Sequence, residues 1–159
     1  MRIERRRVIT GHDRLGRSCV HLDAQVDDII SNRPSSSSTV VWATDDVPAD
    51  SMALVEDGSA SFGKIQPDGT IFRIVRYAAG GEPRMHRTTS VDYGVVLTGT
   101  IILILDAEEV TLSAGDVLVQ RGTMHGWRNP GPEPCEIAFV LVGARPVELA
   151  GDELGNIGW

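Results

Sequence analysis

Four histidines are present, and two of them stand where turn chemistry meets an apolar strand pattern. His86 follows Gly80-Gly81-Glu82-Pro83-Arg84-Met85 and precedes Asp92 in the same segment. His125 follows Gln120-Arg121-Gly122-Thr123-Met124 and opens Gly126-Trp127-Arg128-Asn129. Imidazole titrates near neutral pH, and a carboxylate neighbour raises its pKa and fixes its tautomer. His86 with Asp92, faced by His125, is therefore a candidate acid–base set for moving a proton on a small molecule. The bland alternative is a pair of buried, hydrogen-bonded imidazoles in a site without function. His12 and His21 lack neighbours of metal-ligand type and read as surface or hydrogen-bonded residues. Local sequence supports no Ser-His-Asp or Cys-His arrangement.

The elements that must position these groups read as strands. Residues 86, 88, 90 and 92 share one face if their strand is unbroken, as do His125, Trp127 and Asn129. Ile71 to Tyr77 is rich in β-branched and aromatic residues and is entered through the turn Pro67-Asp68-Gly69. Asp92–Leu97 and Thr100–Leu105 flank the tight turn Thr98-Gly99. Glu109–Leu112, Val117–Gln120 and Glu136–Val142 complete a series of short strands, with a turn at Ala114-Gly115-Asp116. Such regular spacing predicts an all-β sandwich or barrel. Tyr93, next to Asp92, is expected to face away and pack between sheets. Arg73 lies mid-strand and faces either the barrel mouth, where it would grip a carboxylate or phenolate, or solvent. Trp127 either stacks on a planar or carbohydrate substrate or packs in the core. Upstream, Arg6-Val8-Thr10 alternates, Asp23 to Ile30 is a candidate short helix, and Ser35 to Ser38 reads as a mobile low-complexity loop. Thr39 to Trp42 reads as a strand. Gly63, Gly80, Gly99, Gly115 and Gly122 are turn or bulge positions, and with no strand–glycine–helix context no nucleotide cofactor is expected.

Composition narrows the partners. The 159 residues suit one domain, and 42% apolar with 23% charged residues describes an ordinary globular chain. A net charge of −7 opposes binding to nucleic acid or an anionic membrane, although Arg2, Arg5, Arg6 and Arg7 cluster at one end. The longest apolar run, Val95 to Leu105, is too short and too interrupted to span a bilayer. Two cysteines, Cys19 and Cys135, make no disulfide framework and fit reduced thiols in the cytoplasm. Three parts are expected: an N-terminal arm with strands over 1–60, a barrel over 61–144 and a tail over 145–159.

The stretch resembles the cupin superfamily. Its first motif (glycine, five residues, His-x-His, three or four residues, glutamate, six residues, glycine) falls on Gly80, His86, Thr88, Asp92 and Gly99. The second falls on Gly115, Gln120, Gly122, His125 and Asn129. The resemblance implies a double-stranded β-helix, or jelly-roll barrel, with a site in its mouth, and a homodimer that exchanges N-terminal strands. It also implies a divalent metal held by His86, Asp92 and His125. Two departures stand out: Thr88 replaces the second histidine and Gln120 the proline of the second motif, the latter concerning the turn more than the metal. Two imidazoles and a carboxylate still suit Fe, Mn, Ni or Zn, though aspartate is a methylene shorter than glutamate.

Together these readings predict a cupin enzyme acting on a small organic molecule by acid–base or metal-assisted non-oxidative chemistry, such as dehydration, decarboxylation or isomerisation. His86, His125 and Asp92 are its catalytic candidates. Arg73, Trp127, Thr88 and Gln120 are its substrate contacts. An Fe(II)-dependent dioxygenase using the same residues and a non-catalytic ligand-binding cupin are the alternatives.

Overall fold

The computed structural model describes residues 5–26, 29–51, 68–149, 152–155 and 157. Among them every regular element is a strand: β1 (Arg5–His12), β2 (Ser18–Val26), β3 (Ile29–Arg33), β4 (Ser36–Thr44), β5 (Thr70–Tyr77), β6 (Ser90–Thr98), β7 (Thr100–Leu105), β8 (Glu109–Ser113), β9 (Val117–Arg121), β10 (His125–Arg128), β11 (Cys135–Gly143), β12 (Val147–Leu149) and β13 (Asp152–Leu154). A six-stranded sheet in the order β3-β4-β5-β11-β6-β9 faces a three-stranded one, β10-β7-β8, and the pair rolls into a jelly-roll barrel.

Alternation along the strands sends one face of each into the space between the sheets. On β11 this face is Cys135, Ile137, Phe139 and Leu141, each 4% exposed or less. Val75 of β5, Val96 of β6, Ile101 and Leu103 of β7, and Trp127 of β10 close on them as one core. Each such side chain contributes about 1.5–3 kcal/mol through burial. The β6–β7 turn depends on Gly99, whose φ is 77°. A Cβ there would stand 3.1 Å from Cys135 Cα, so both conformation and space require glycine.

The β1–β2 hairpin reaches the outer face of the large sheet. Arg5 and Arg76 (3.2 Å) both pair with the buried carboxylate of Glu136, and Arg7 donates to the Val41 carbonyl at 3.0 Å. Beyond the hairpin the outer face carries an apolar strip that no other described residue covers. Phe72, Val140, Tyr93 and Val119 are successive register partners across β5, β11, β6 and β9, and all four are exposed. Val95 and Val117, a directly opposed pair, extend this strip.

Several expectations are corrected. The candidate helix at Asp23 to Ile30 is strand up to Val26 and again from Ile29, residues 27–28 lying outside the described residues. Ser35 to Ser38 is no mobile loop. β4 begins at Ser36 between β3 and β5, whose backbones supply its hydrogen bonds, and Ser37 and Ser38 are buried. β3 and β4 lie in the same sheet as β5, while residues 52–67, around the expected start of the barrel, lie outside the described residues. Tyr93 points outward, as parity requires, but nothing among the described residues covers it and it is 51% exposed. Gly63 and Pro67 lie outside the described residues.

Candidate functional site

Four chain segments bring the chemistry together. Asp92 lies on β6 opposite Gln120 of β9, so their side chains share the inward face. His125 starts β10 and pairs with Leu105 of β7. His86 precedes β6 and belongs to no strand. Its backbone forms a two-way bridge with His125, with N–H to O distances of 2.8 and 2.9 Å. The next residue, Arg87, bonds in both directions to Ile157 (3.0 and 3.1 Å), and its Nε donates to Gly155 O. The His86 segment is thus held between the barrel and the C-terminal tail, which docks on its own barrel. The imidazole rings of His86 and His125 lie 4.1 Å apart at their centroids.

The tautomers follow from backbone carbonyls. His125 Nδ1 lies 2.9 Å from Thr123 O and His86 Nδ1 lies 3.1 Å from Arg84 O. A carbonyl only accepts, so each Nδ1 carries the proton and each Nε2 the lone pair. Burial, with His125 alongside, lowers the pKa of His86 to about 4, and burial lowers that of His125 too. Both rings are therefore neutral at pH 7.

Asp92, 3% exposed, is tied on both oxygens. Ser90 Oγ donates to Oδ1 at 2.5 Å, while Gln120 Nε2 at 3.1 Å and Thr88 Oγ1 at 3.4 Å donate to Oδ2. Burial raises the pKa of Asp92; these bonds and the positive charge of Arg73 oppose the rise. Arg73 resolves inward. Its field acts on Asp92, His86, His125 and Tyr77, and burial lowers its own pKa. Tyr77 shares the inward face of β5 with Arg73, and burial raises its phenol, so it stays a protonated donor.

The seven expected residues do not share one role. His86, His125, Asp92, Thr88, Gln120 and Arg73 converge. Trp127 does not offer a stacking face. It shares the face of His125, as parity requires, but is 6% exposed and enclosed by Tyr77 (5.9 Å), Phe139 (5.6 Å) and His125 (6.0 Å), so core packing takes the ring. Tyr77 and Ser90 were assigned no role from the sequence. Their period-two relation to Arg73 and to Asp92 was the available signal.

The expected metal trio does not fit a divalent cation. Among the described residues no three His, Cys, Asp or Glu side chains converge as a ligand set. The Asp92 oxygens and His125 Nε2 already accept hydrogen bonds, and Arg73 adds a buried positive charge beside them. Two imidazoles, a hydrogen-bonded carboxylate, a phenol and a guanidinium are instead equipped to hold a polar substrate oxygen and to transfer a proton.

Comparison with known proteins agrees with the barrel. The Cupin domain family profile matches residues 73–142. Phomopsin biosynthesis cluster protein D of Diaporthe leptostromiformis is 38% identical over 160 aligned residues, covering 95% of this chain and 85% of that protein. The cupin-domain-containing oxidoreductase fogC of Aspergillus ruber is 33% identical, covering 93% and 77%. Among solved structures, a protein with a double-stranded β-helix domain from Klebsiella pneumoniae superposes with a TM-score of 0.50 at 18% identity, over 73% of this chain and 84% of that one. With the strand order, the two motifs and near-full-length relatives in agreement, the chain belongs to the cupin family.

Proposed function

We propose that this cupin is an enzyme of a secondary-metabolite pathway that moves a proton on a small carbonyl- or enol-bearing molecule, as in isomerisation, dehydration or decarboxylation. One observation carries the reading: two neutral imidazoles lie 4.1 Å apart beside a buried carboxylate, inside a barrel that also holds Arg73. His86 Nε2 takes and returns the proton. Arg73 and the Tyr77 phenol stabilise the developing oxyanion, a role for which preorganised buried donors are effective. Gln120 Oε1, buried and without a hydrogen-bond partner among the described residues, is the acceptor left for a substrate hydroxyl or N–H. Relatives named as biosynthesis cluster proteins support the metabolic setting.

The test is proton exchange in D2O, followed by NMR, with a panel of small β-keto acids and hydroxyketones. We expect at least one to exchange at the carbon next to its carbonyl, and His86→Ala to slow this by about 10²-fold or more. No exchange above buffer across the panel, or a His86→Ala variant as fast as wild type, would defeat the reading. The name of the Aspergillus ruber relative favours oxidation as a second reading. Oxygen uptake that depends on substrate would select it.

A homodimer and a cytoplasmic setting belong to the same proposal. The strip of Phe72, Val140, Tyr93, Val119, Val95 and Val117 is a continuous apolar sheet face, of the kind that marks an interface. Both cysteines are free, in keeping with a reducing compartment. No helix among the described residues is long and apolar enough to cross a membrane. Light scattering after gel filtration should give twice the chain mass for wild type and the chain mass for Val119→Asp. Val119 is 56% exposed, so its substitution should leave the melting temperature within a few degrees. A monomeric wild type contradicts the dimer.

A further inference from the structure

We infer that the side-chain amide of Gln120 occupies the place a metal ion would take, making this a cupin site that refuses divalent cations. Gln120 Nε2 lies 3.1 Å from Asp92 Oδ2 and 3.0 Å from His125 Nε2. A carboxylate oxygen and an imidazole lone pair, the two strongest ligand types available, thus point at one nitrogen. An –NH2 group has two hydrogens and satisfies both acceptors, each engaged on the electron pair a metal would need.

The amide orientation is fixed by its neighbours. His125 Nδ1 carries its proton toward Thr123 O, so His125 Nε2 is an acceptor. Turning the amide over would set its oxygen against that lone pair and against a carboxylate oxygen, leaving three acceptors and no donor. Gln120 is 4% exposed, so bulk water cannot readily replace these bonds. A cation would have to displace the amide, strip Ser90 or Thr88 from Asp92 and sit beside the charge of Arg73. Histidine tolerates a hydrogen bond or a metal at Nε2, but not both. The glutamine therefore acts as a positioning residue: it fixes Asp92 and His125 relative to each other without a Lewis acid.

This inference rests on hydrogen bonds rather than on the reaction proposed above, and its test does not involve turnover. Protein stripped with EDTA and desalted is titrated calorimetrically with Mn2+, Ni2+ and Zn2+, and bound metal is measured after a second desalting. Wild type should retain less than a tenth of an equivalent. Gln120→Glu keeps the shape, removes both donated bonds and adds an oxygen ligand. It should bind one equivalent at least 100-fold more tightly than wild type and give a Co2+ visible spectrum that His125→Ala abolishes in the same background. Gln120→Ala, which only frees the two acceptors, should gain about tenfold. One equivalent of tightly held metal on wild type, lost in His125→Ala, overturns the inference whatever the variants do. A folded Gln120→Glu protein that gains no metal also overturns it. Loss of proton exchange with the metal results intact would instead defeat only the proposed reaction.

Discussion

Trp127→Ala should unfold in urea with a loss of about 3–5 kcal/mol, the range for truncating a large core aromatic. The ring is 6% exposed, with Tyr77 on one side, Phe139 on another and His125 against its edge, so the deletion leaves a cavity at the junction of the two sheets. Domains of this size are stable by about 5–15 kcal/mol, so the variant should be marginal at 37 °C. Trp127→Phe keeps much of the volume and should cost clearly less. A substrate platform would behave differently: Trp127→Ala would then melt within a few tenths of a kcal/mol of wild type and lose ligand binding alone. Far-UV circular dichroism against urea distinguishes the two.

Acid should destabilise the fold between pH 6.5 and about 4. His86 takes up its proton at about 4 in the folded chain and at 6.5 in the unfolded one. Within that window the unfolded state binds more protons, so stability falls as pH falls. The gap is worth about 3 kcal/mol at most, and water reaching this half-buried ring screens it to about 2 kcal/mol. His125 is shifted in the same direction and adds to the loss. Asp92 is shifted upward and opposes it, since its folded carboxyl binds a proton at higher pH than the unfolded one. The urea midpoint should therefore drop from pH 7 to pH 4.5, and His86→Gln should flatten that dependence. A midpoint independent of pH, or an equally steep His86→Gln, would show that the ring is not buried as a neutral base.

What the sequence disclosed depended on whether neighbours along the chain or neighbours in space set the structure. β6, β7 and β9 were legible because apolar alternation is interrupted by Gly99 and Gly115, both at positive φ. β4 was legible from Thr39 to Trp42 but not at its start: Ser36 to Ser38 carry little strand signal of their own, and their place between β3 and β5 is a tertiary fact. The motif spacing placed His86, Asp92 and His125 around one point, yet it could not show how their lone pairs are used. Gln120 illustrates the limit. Read as a substitute for proline it concerned a turn, whereas its position two residues after Leu118 on an alternating strand turns the amide inward. Tyr93 shows the converse, since parity fixed its direction but not what covers it.

The ladder between Arg87 and Ile157 has a practical corollary. A purification handle joined shortly after Ile157 would load the edge that secures His86, and its placement alone would alter how that imidazole is aimed. Proteins prepared with the handle at opposite termini should be compared before any weak activity is ascribed to the barrel itself.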